Sequence, residues 1–342
     1  MRVAMYYRNN DVRIEEVPRP KIVDGELLVR VQASGICGTD VMEWYRVGKA
    51  PLVLGHEIAG EIVAAGNGVT GCAIGDRISV SHHVPCMTCH YCLRGHHTVC
   101  DTLRTTRFDP GGFAEFVRIP AINVRHGVYR LPKDVSYEEA TFIEPLACVV
   151  RGQRIVGVRK GDTVLVIGSG ISGILHVKLA RARGAAKVIA TDVVEYRLAA
   201  AKRSGADGTF LAKDCHPEAI RTMNQGMLAD IVIVCAGSAD AHLQALASVE
   251  RGGTVLFFAA SRESVNLPIS VNDFFWRNEM SLVSSYAGSP DDHREALELI
   301  RDRSVGVRDM ITHRLGLNET GTGFRLVAQA QDSIKVIIEP QK

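Results

Sequence analysis

The sequence predicts an α/β protein in which a doubly wound parallel sheet is joined to a second, mainly β domain. The chain has 342 residues, which exceeds the roughly 250–300 residues at which one hydrophobic core stops growing. From about Gly161 onward, buried-strand runs such as "DTVLVIG" alternate with helical segments such as "ISGILHVKLARARG". This alternation is typical of a parallel sheet covered on both faces. Before about residue 145, short apolar-alternating stretches punctuated by glycine indicate an antiparallel β domain instead.

Composition and charge favour a protein that acts on small molecules. Apolar residues make up 46% of the chain, and the net charge of +2 includes no block of like charges of the kind that binds nucleic acid or a membrane surface. The N-terminal stretch lacks the apolar core of a signal peptide, and no apolar run approaches the roughly 18 residues of a membrane span. We therefore expect a cytoplasmic protein that binds neither nucleic acid nor membrane, and whose nine cysteines are metal ligands and free thiols rather than disulfides.

A glycine-rich loop predicts a dinucleotide site. The stretch "VIGSGISG" has the G-x-G-x-x-G pattern between a predicted strand and a predicted helix, and Asp192 ends the next strand. Glycines there allow a tight turn and a close approach to the pyrophosphate, and an acidic residue about 20 positions further on binds the ribose and repels a 2′-phosphate. The alternative is a plain glycine turn in which Asp192 only caps a helix. The pattern favours NAD over NADP, with these predicted cofactor residues: Gly168, Gly170, Ile171, Ser172, Gly173, Asp192 and Arg197.

Residues of metal-ligand type fall into one compact run and one scattered set. The compact run has the spacing C-x2-C-x2-C-x7-C and contains Cys86, Cys89, Cys92 and Cys100. An iron–sulfur run begins in the same way but usually ends x3-C-P, whereas this one ends x7-C without proline. The scattered set contains Cys37, His56, Glu57 and Glu144. Catalytic zinc uses three such ligands and keeps an open position, although a single His or Cys is more often structural.

Taken together, these motifs resemble the zinc-dependent medium-chain dehydrogenase/reductase family, and most closely its sorbitol (polyol) and threonine dehydrogenase branch. The resemblance rests on "CGTD", "GHEIAGEIVAAGNGV", the four-cysteine run, "EPL", the glycine loop and the closing "ITHRLGL…GFRLV…SIKVIIEP", all in the family's order. It covers essentially the whole chain. It implies a GroES-like catalytic domain at residues 1–147 and a Rossmann NAD-binding domain at 148–284. The segment 285–342 is then expected to complete the catalytic domain.

The resemblance also implies two zinc ions per chain. Cys37 and His56 would bind the catalytic zinc, with Glu57 as a ligand or exchanging neighbour and Glu144 acting directly or through water. Cys148 is not expected to be a ligand. The four thiolates of the cysteine lobe, about residues 82–102, would close a structural site with no position for substrate. The histidines of this stretch are then explained as polar residues of a surface lobe: His82, His83, His90, His96 and His97.

The implied reaction is hydride transfer between NAD and a secondary alcohol, giving a ketone. Thr39 would pass the alcohol proton toward the nicotinamide ribose, but Met42 stands where relatives often carry the next member of the relay, a histidine. Because acidic side chains surround the zinc, we expect a polyol, sugar alcohol or amino alcohol as substrate. Possible pocket residues are Trp44, Tyr45, Arg107, Phe108 and Trp276.

Three alternatives remain open on the sequence alone. A simple alcohol dehydrogenase or an aldehyde or formaldehyde dehydrogenase would use the same zinc and NAD. A non-catalytic NAD-binding sensor would keep the fold and lose turnover, since fold alone does not establish function. Microbial relatives are commonly homotetramers built from dimers, so we expect a homo-oligomer.

Overall fold

The computed structural model describes all 342 residues apart from the side chain of Asp273. The chain divides into two compact units. The first contains Met1–Ala147 and Ala287–Lys342, and the second contains Cys148–Tyr286.

The N-terminal part of the first unit is rich in strands. Its strands are β1 (Arg2–Arg8), β2 (Asp11–Glu16), β3 (Leu27–Gly35), β4 (Leu52–Val53), β5 (Glu57–Ala65), β6 (Arg77–Val80), β7 (Phe116–Ile119) and β8 (Val128–Arg130). Its helices are α1 (Glu43–Arg46), α2 (His90–Leu93), α3 (Asp101–Thr105), α4 (Ala121–Gly127) and α5 (Tyr137–Ala140), followed by α6 (Ile143–Val156).

The second unit alternates strands and helices. Its elements are β9 (Thr163–Ile167), α7 (Ile171–Ala182), β10 (Lys187–Asp192), α8 (Glu195–Arg203), β11 (Gly208–Leu211), α9 (Pro217–Met223), β12 (Ala229–Val234), α10 (Ala239–Ser248), β13 (Val249–Phe257), α11 (Val271–Phe274) and β14 (Ser281–Ser284). The six strands form one parallel sheet in the order β11-β10-β9-β12-β13-β14. All five residues of β9 are buried, as expected for a central strand covered on both faces.

The C-terminal segment returns to the first unit. It contributes α12 (Pro290–Arg301), β15 (Ile311–Gly316), α13 (Thr320–Gln329) and β16 (Lys335–Glu339). Strand β16 pairs with β3 and places β15 at the edge of a sheet in the order β15-β16-β3-β5-β6-β8, with β7 also on β3. The predicted fold class, a Rossmann sheet with a GroES-like β domain, is confirmed.

The core of the first unit lies under the central strands β3 and β5. Both strands run for nine residues and are buried along most of their length. In the antiparallel pair, Gly35 at the end of β3 faces Glu57 at the start of β5. This register brings the segments that flank the two strands together at one end of the sheet, and the scattered ligand-type residues lie there.

Candidate metal centres and cofactor loop

Strand pairing brings three of the scattered residues together. Cys37 follows β3, and His56 and Glu57 stand at the start of β5, which is the antiparallel neighbour of β3. The Cys37 sulfur, a ring nitrogen of His56 and a carboxylate oxygen of Glu57 all lie within 4.8 Å of one another. Thiolate, imidazole and carboxylate are the ligand types of catalytic zinc. The cluster could therefore hold a zinc ion with a position left open.

Glu57 contacts both this cluster and a buried cation. Its Oε2 atom is ion-paired with Lys335 of β16, and both side chains are at most 1% exposed. A Cβ atom at Gly35 would collide with both partners, so a side chain there would displace the ion pair. Among the atoms that the structure describes, Oε1 of Glu57 is buried and has no hydrogen-bond partner. An orphaned carboxylate oxygen beside a thiol and an imidazole fits a cation.

Asp40 contacts two of the candidate ligands and orients them. It is fully buried in the turn after Cys37, accepts the backbone N–H of Cys37 at 3.1 Å and lies 3.5 Å from Nδ1 of His56. Such a carboxylate fixes the orientation and tautomer of a ligating histidine. Burial opposes the charged forms. Even so, Asp40 and Cys37 raise the pKa of His56 well above its ordinary value, and His56 and Arg46 lower the pKa of Asp40.

Thr39 lies beside the same sulfur. Its hydroxyl donates to Sγ of Cys37 at 3.3 Å, and the Arg46 guanidinium donates to the Thr39 carbonyl at 2.9 Å. Met42 is half-buried between the turn that contains Thr39 and helix α1. The structure thus places Thr39 next to the cluster and gives it a cationic neighbour.

Two histidines of the cysteine lobe do not behave as surface residues. The ring of His82 packs 4.6 Å from that of His56 and 3.7 Å from that of His83, and Nδ1 of His83 lies 3.0 Å from the Thr106 carbonyl. Burial lowers the pKa of His82 well below its usual value and that of His83 to about 4. Explaining this pair by an exposed polar lobe was wrong. His90 and His96 are exposed and His97 is half-exposed.

Glu144 and the suggested pocket residues are more dispersed. Glu144 is half-buried at the start of α6, and among the described residues the group within 4.8 Å does not include it. Trp44 is 50% and Tyr45 43% exposed in α1. Phe108, by contrast, is buried in the core beneath β3 and β5. The two remaining suggested residues, Arg107 in the first unit and Trp276 in the second, are exposed.

The four thiols of the cysteine lobe form a second cluster. Their sulfur atoms lie within 4.8 Å of one another, with separations of 3.6 Å for Cys89–Cys92 and for Cys86–Cys100, and 3.9 Å for Cys86–Cys92. Four sulfurs about 2.3 Å from a tetrahedral zinc would be about 3.8 Å apart. The amide N–H of Cys89 donates to Cys86 at 3.3 Å. Hydrogen bonds from Thr88, with this one, lower the pKa of Cys86 to about 5, which favours the thiolate that metal binding needs.

The glycine loop of the second unit lies between β9 and α7. Gly168 has a φ of 94°, a left-handed conformation that suits glycine, and a Cβ at Gly173 would overlap the Gly168 carbonyl. A Cβ at Gly170 would meet only the Arg197 guanidinium, at 3.8 Å, so the loop is open where a pyrophosphate would approach. Asp192 accepts the Ser169 N–H at 2.7 Å and the Val194 N–H at 2.9 Å. Asp192 is therefore fixed against the loop.

The chain is similar to known protein families and proteins. A family model for the alcohol dehydrogenase GroES-like domain matches residues 23–133, and one for zinc-binding dehydrogenases matches residues 172–302. A sorbitol dehydrogenase of Bombyx mori is 31% identical over 99% of this chain and 98% of its own. The chain belongs to the zinc-binding, medium-chain alcohol dehydrogenase family.

Solved structures of alcohol dehydrogenases and related proteins share the fold. An alcohol dehydrogenase from Thermus sp. ATN1 matches with a TM-score of 0.87 and 27% identity over 99% of both chains. A Sinorhizobium meliloti 1021 protein assigned as a zinc-binding dehydrogenase and bound to NADP matches with a TM-score of 0.87 and 28% identity, also over 99% of both chains. Among the residues that the structure describes, no helix of this alcohol dehydrogenase is long and apolar enough to cross a membrane.

Three residues that contact the candidate metal cluster of this alcohol dehydrogenase were not predicted from the sequence. Asp40 stands inside "CGTD", so its motif gave a signal, but its role depends on its contact with His56. Arg46 stands in no quoted motif, and Lys335 stands in the closing "SIKVIIEP" without any residue pattern of a metal site; both reach the candidate site only through the fold. Their contacts make the surroundings of the candidate zinc site charged rather than apolar.

Proposed function

We propose that this alcohol dehydrogenase oxidises a secondary alcohol that carries a neighbouring hydroxyl or amino group, with NAD as the hydride acceptor. The observation that carries the proposal is the convergence of Cys37, His56 and Glu57 within 4.8 Å, with the Thr39 hydroxyl 3.3 Å from the Cys37 sulfur. In this proposal Cys37 and His56 hold zinc. Glu57 and Glu144 act as ligands or through water.

Zinc bound there would supply a Lewis acid that stabilises negative charge on the alcohol oxygen, and NAD would take the hydride. The protein supplies orientation and proton handling. Thr39 takes the alcohol proton, because its hydroxyl stands beside a ligand sulfur and can both donate and accept. Asp40 holds the His56 ring through Nδ1, which leaves the other ring nitrogen for the metal. Met42 has no exchangeable proton, so the proton leaves Thr39 by another route.

The charged surroundings of the cluster support a polar substrate. Asp40, Glu57 and Lys335 are all buried within contact of the ligand residues or of one another. Charged side chains close to the cluster favour a substrate with a further O–H or N–H group over a purely apolar one. The likeness to a sorbitol dehydrogenase points in the same direction.

Cofactor choice is proposed from Asp192 and the loop. The fixed carboxylate repels a 2′-phosphate and favours NAD. Arg197 beside Gly170 is the residue that could moderate this preference, since a nearby arginine accommodates the phosphate of NADP. The proposed cofactor residues are those of the G-x-G-x-x-G loop together with Asp192 and Arg197.

A homo-oligomer, dimeric or tetrameric, and a cytoplasmic location complete the proposal. Strand β14 is an edge of the parallel sheet and is half-exposed, and Trp276 and Tyr286 are 63% and 51% exposed near it in the chain. Exposed edges and large aromatic side chains are typical of surfaces that pair with a second copy.

The test is a substrate panel with purified, zinc-quantified protein. NAD reduction is measured with sorbitol, xylitol, 2,3-butanediol and threonine against matched monoalcohols such as 2-butanol, and also with formaldehyde. Sedimentation velocity gives the oligomeric state. We expect about two zinc ions per chain, and kcat/KM at least about tenfold higher for the diols and polyols. NADP serves as the cofactor control and should be used less efficiently.

Other outcomes favour the alternatives. Equal efficiency on polyols and monoalcohols would indicate a simple alcohol dehydrogenase, and turnover of formaldehyde alone would indicate an aldehyde dehydrogenase. Tight NAD binding and two zinc ions without any turnover would contradict the proposed reaction and favour the sensor.

A further inference from the structure

Helix α1 reverses the usual pattern of burial. Its aromatic residues Trp44 and Tyr45 are 50% and 43% exposed, whereas the side chain of Arg46 is only 15% exposed. Arginine is rarely buried unless it is paired. An inward-facing cation beside outward-facing aromatic rings indicates that Arg46 has polar partners inside the unit.

The first partner is Thr39. The Arg46 guanidinium donates through Nε to the Thr39 carbonyl at 2.9 Å and through Nη2 to the Thr39 hydroxyl at 3.4 Å. It therefore contacts both the backbone and the side chain of one residue. This double contact fixes where the hydroxyl stands.

The second partner is Asp40. Nη2 of Arg46 lies 3.5 Å from Oδ1 of Asp40, the same oxygen that lies 3.5 Å from Nδ1 of His56. The other oxygen of Asp40 accepts the Cys37 N–H at 3.1 Å. One guanidinium thus reaches the hydroxyl beside the cluster and the carboxylate that holds two candidate metal ligands.

The chemistry of arginine limits what this arrangement can do. A guanidinium has five donors, no acceptor and no proton that it can lose in a protein, so Arg46 cannot replace a relay histidine as a proton carrier. It can occupy one lone pair of the Thr39 oxygen. The other lone pair is then left to accept the alcohol proton, while the Thr39 proton is donated to the Cys37 sulfur.

We propose that Arg46 is a positioning residue that fixes the Thr39 hydroxyl for proton transfer and holds Asp40 behind the candidate zinc site. The inference rests on the proposed alcohol oxidation. In this chain Met42 stands at the position where relatives often carry the relay histidine. The Thr39 hydroxyl is oriented instead by an arginine seven residues further along the chain. Removing Arg46 should therefore lower turnover through Thr39 and loosen the metal through Asp40.

A matched control is available on the same segment. The ring of Tyr45 lies 4.8 Å from the Arg46 guanidinium and 3.7 Å from the Lys49 ammonium. Lys49 is exposed, and among the described residues it makes no hydrogen bond or ion pair with Thr39 or Asp40. K49M therefore removes a cation and a stacking partner of Tyr45 without removing the contacts proposed to matter.

The test is a double-mutant cycle between Arg46 and Thr39. R46M should lower kcat by about 10–100-fold, the range for residues that contact and orient metal ligands. The KM for NAD should change by less than about twofold. In a T39V background assayed with excess zinc, so that weaker metal binding through Asp40 does not limit turnover, R46M should lower kcat by less than about twofold further, because the hydroxyl on which it acts is gone. R46K, which keeps the charge but not the two-pronged geometry, should also stay well below the wild type, and K49M should match the wild type.

A second readout does not depend on turnover. Zinc retention is measured by titration with a competing chelator. R46M should release the catalytic zinc at about tenfold lower chelator concentration while the zinc of the cysteine lobe is retained. Effects of R46M that are additive with those of T39V, wild-type kcat in R46M or R46K, or unchanged zinc retention would each overturn the inference. If the wild type oxidises no alcohol, the proposed function fails, and zinc retention alone then decides the role of Arg46.

Discussion

At the scale of single residues, the ion pair between Glu57 and Lys335 is a buried contact of the candidate metal cluster. Both side chains are at most 1% exposed, and Lys335 also lies 5.1 Å from the centre of the Phe142 ring. Taking two charges out of water is costly, so a buried pair stabilises a fold only weakly, but breaking it leaves one charge uncompensated. The pair therefore serves to position Glu57 rather than to stabilise the fold. It fixes one carboxylate oxygen of Glu57 and leaves the other without a partner.

This arrangement predicts an asymmetric effect of mutation. K335M should destabilise the first unit by about 3–5 kcal/mol, because the Glu57 carboxylate is then buried without a partner. The double variant E57Q/K335M should recover most of that loss, since both charges are removed together. Urea unfolding followed by pulsed hydrogen exchange of β3 peptides measures the first unit separately. Equal destabilisation by the single and double variants would show that the charge of Glu57 is not the cause.

The candidate site also shows what a sequence reveals at this scale. Cys37, His56 and Glu57 stand in short motifs whose residue types match zinc. The sequence alone therefore predicts them as candidate ligands, without the distances between them. Lys335 is 278 positions from Glu57, and the closing "SIKVIIEP" that contains it shows no ligand-type pattern that would assign it to the site. The lobe histidine His82 was misinterpreted for the same reason: its neighbours in the sequence are polar, but its neighbour in space is His56.

At the scale of elements, the cysteine lobe is too small to be held by apolar packing. Its buried core contains Cys92, Cys100 and Leu103, and helix α2 has only four residues. An isolated helix of that length is far below the roughly 12–15 residues that are marginally stable in water. The four thiols lie at the separations of a tetrahedral zinc site. Zinc held there would stabilise the lobe in place of apolar packing, because structural zinc contributes folding free energy directly.

Removing one thiol should therefore affect order in the lobe without removing the catalytic cluster. C92S is expected to lower the zinc content from about two ions per chain to about one and to increase hydrogen exchange across the lobe. The matched control is C215S, because Cys215 is a buried thiol of the second unit outside both clusters. Zinc analysis and exchange by mass spectrometry measure the effect. A C92S variant that keeps two zinc ions would contradict the assignment of the lobe.

The elements differ in how far the sequence predicts them. Strand β9 is a continuous apolar run that is buried on both faces, so its place in a parallel sheet was predictable. Strand β15 is mostly half-buried, and it pairs in parallel with β16, more than twenty positions away. Its apolar pattern is too weak to mark it as a strand.

At the scale of the whole molecule, each unit has its own buried core and its own buried titratable groups. In the first unit, burial lowers the pKa of His83 to about 4 and also lowers that of His293. In the second, burial lowers the pKa of His176 to about 3. An unfolded histidine has a pKa of about 6.5. Each of these histidines therefore lowers the free energy of unfolding as the pH falls.

The sign of that effect can be tested at His176. This residue is fully buried in α7, with Nδ1 3.3 Å from the Gln153 amide and its ring against Phe258. As the pH falls below about 6.5, the unfolded chain takes up a proton that the folded unit does not, so the free energy of unfolding should decrease by about 2 kcal/mol between about pH 7.5 and about pH 5 from this group alone. H176F cannot take up that proton and fits against Phe258, so it should lose about 2 kcal/mol less than the wild type over that interval. The urea transition of β9 peptides, followed by pulsed hydrogen exchange at both pH values, measures the difference. Parallel losses in the two proteins would mean that His176 is already protonated in the folded unit, and that burial does not hold it neutral.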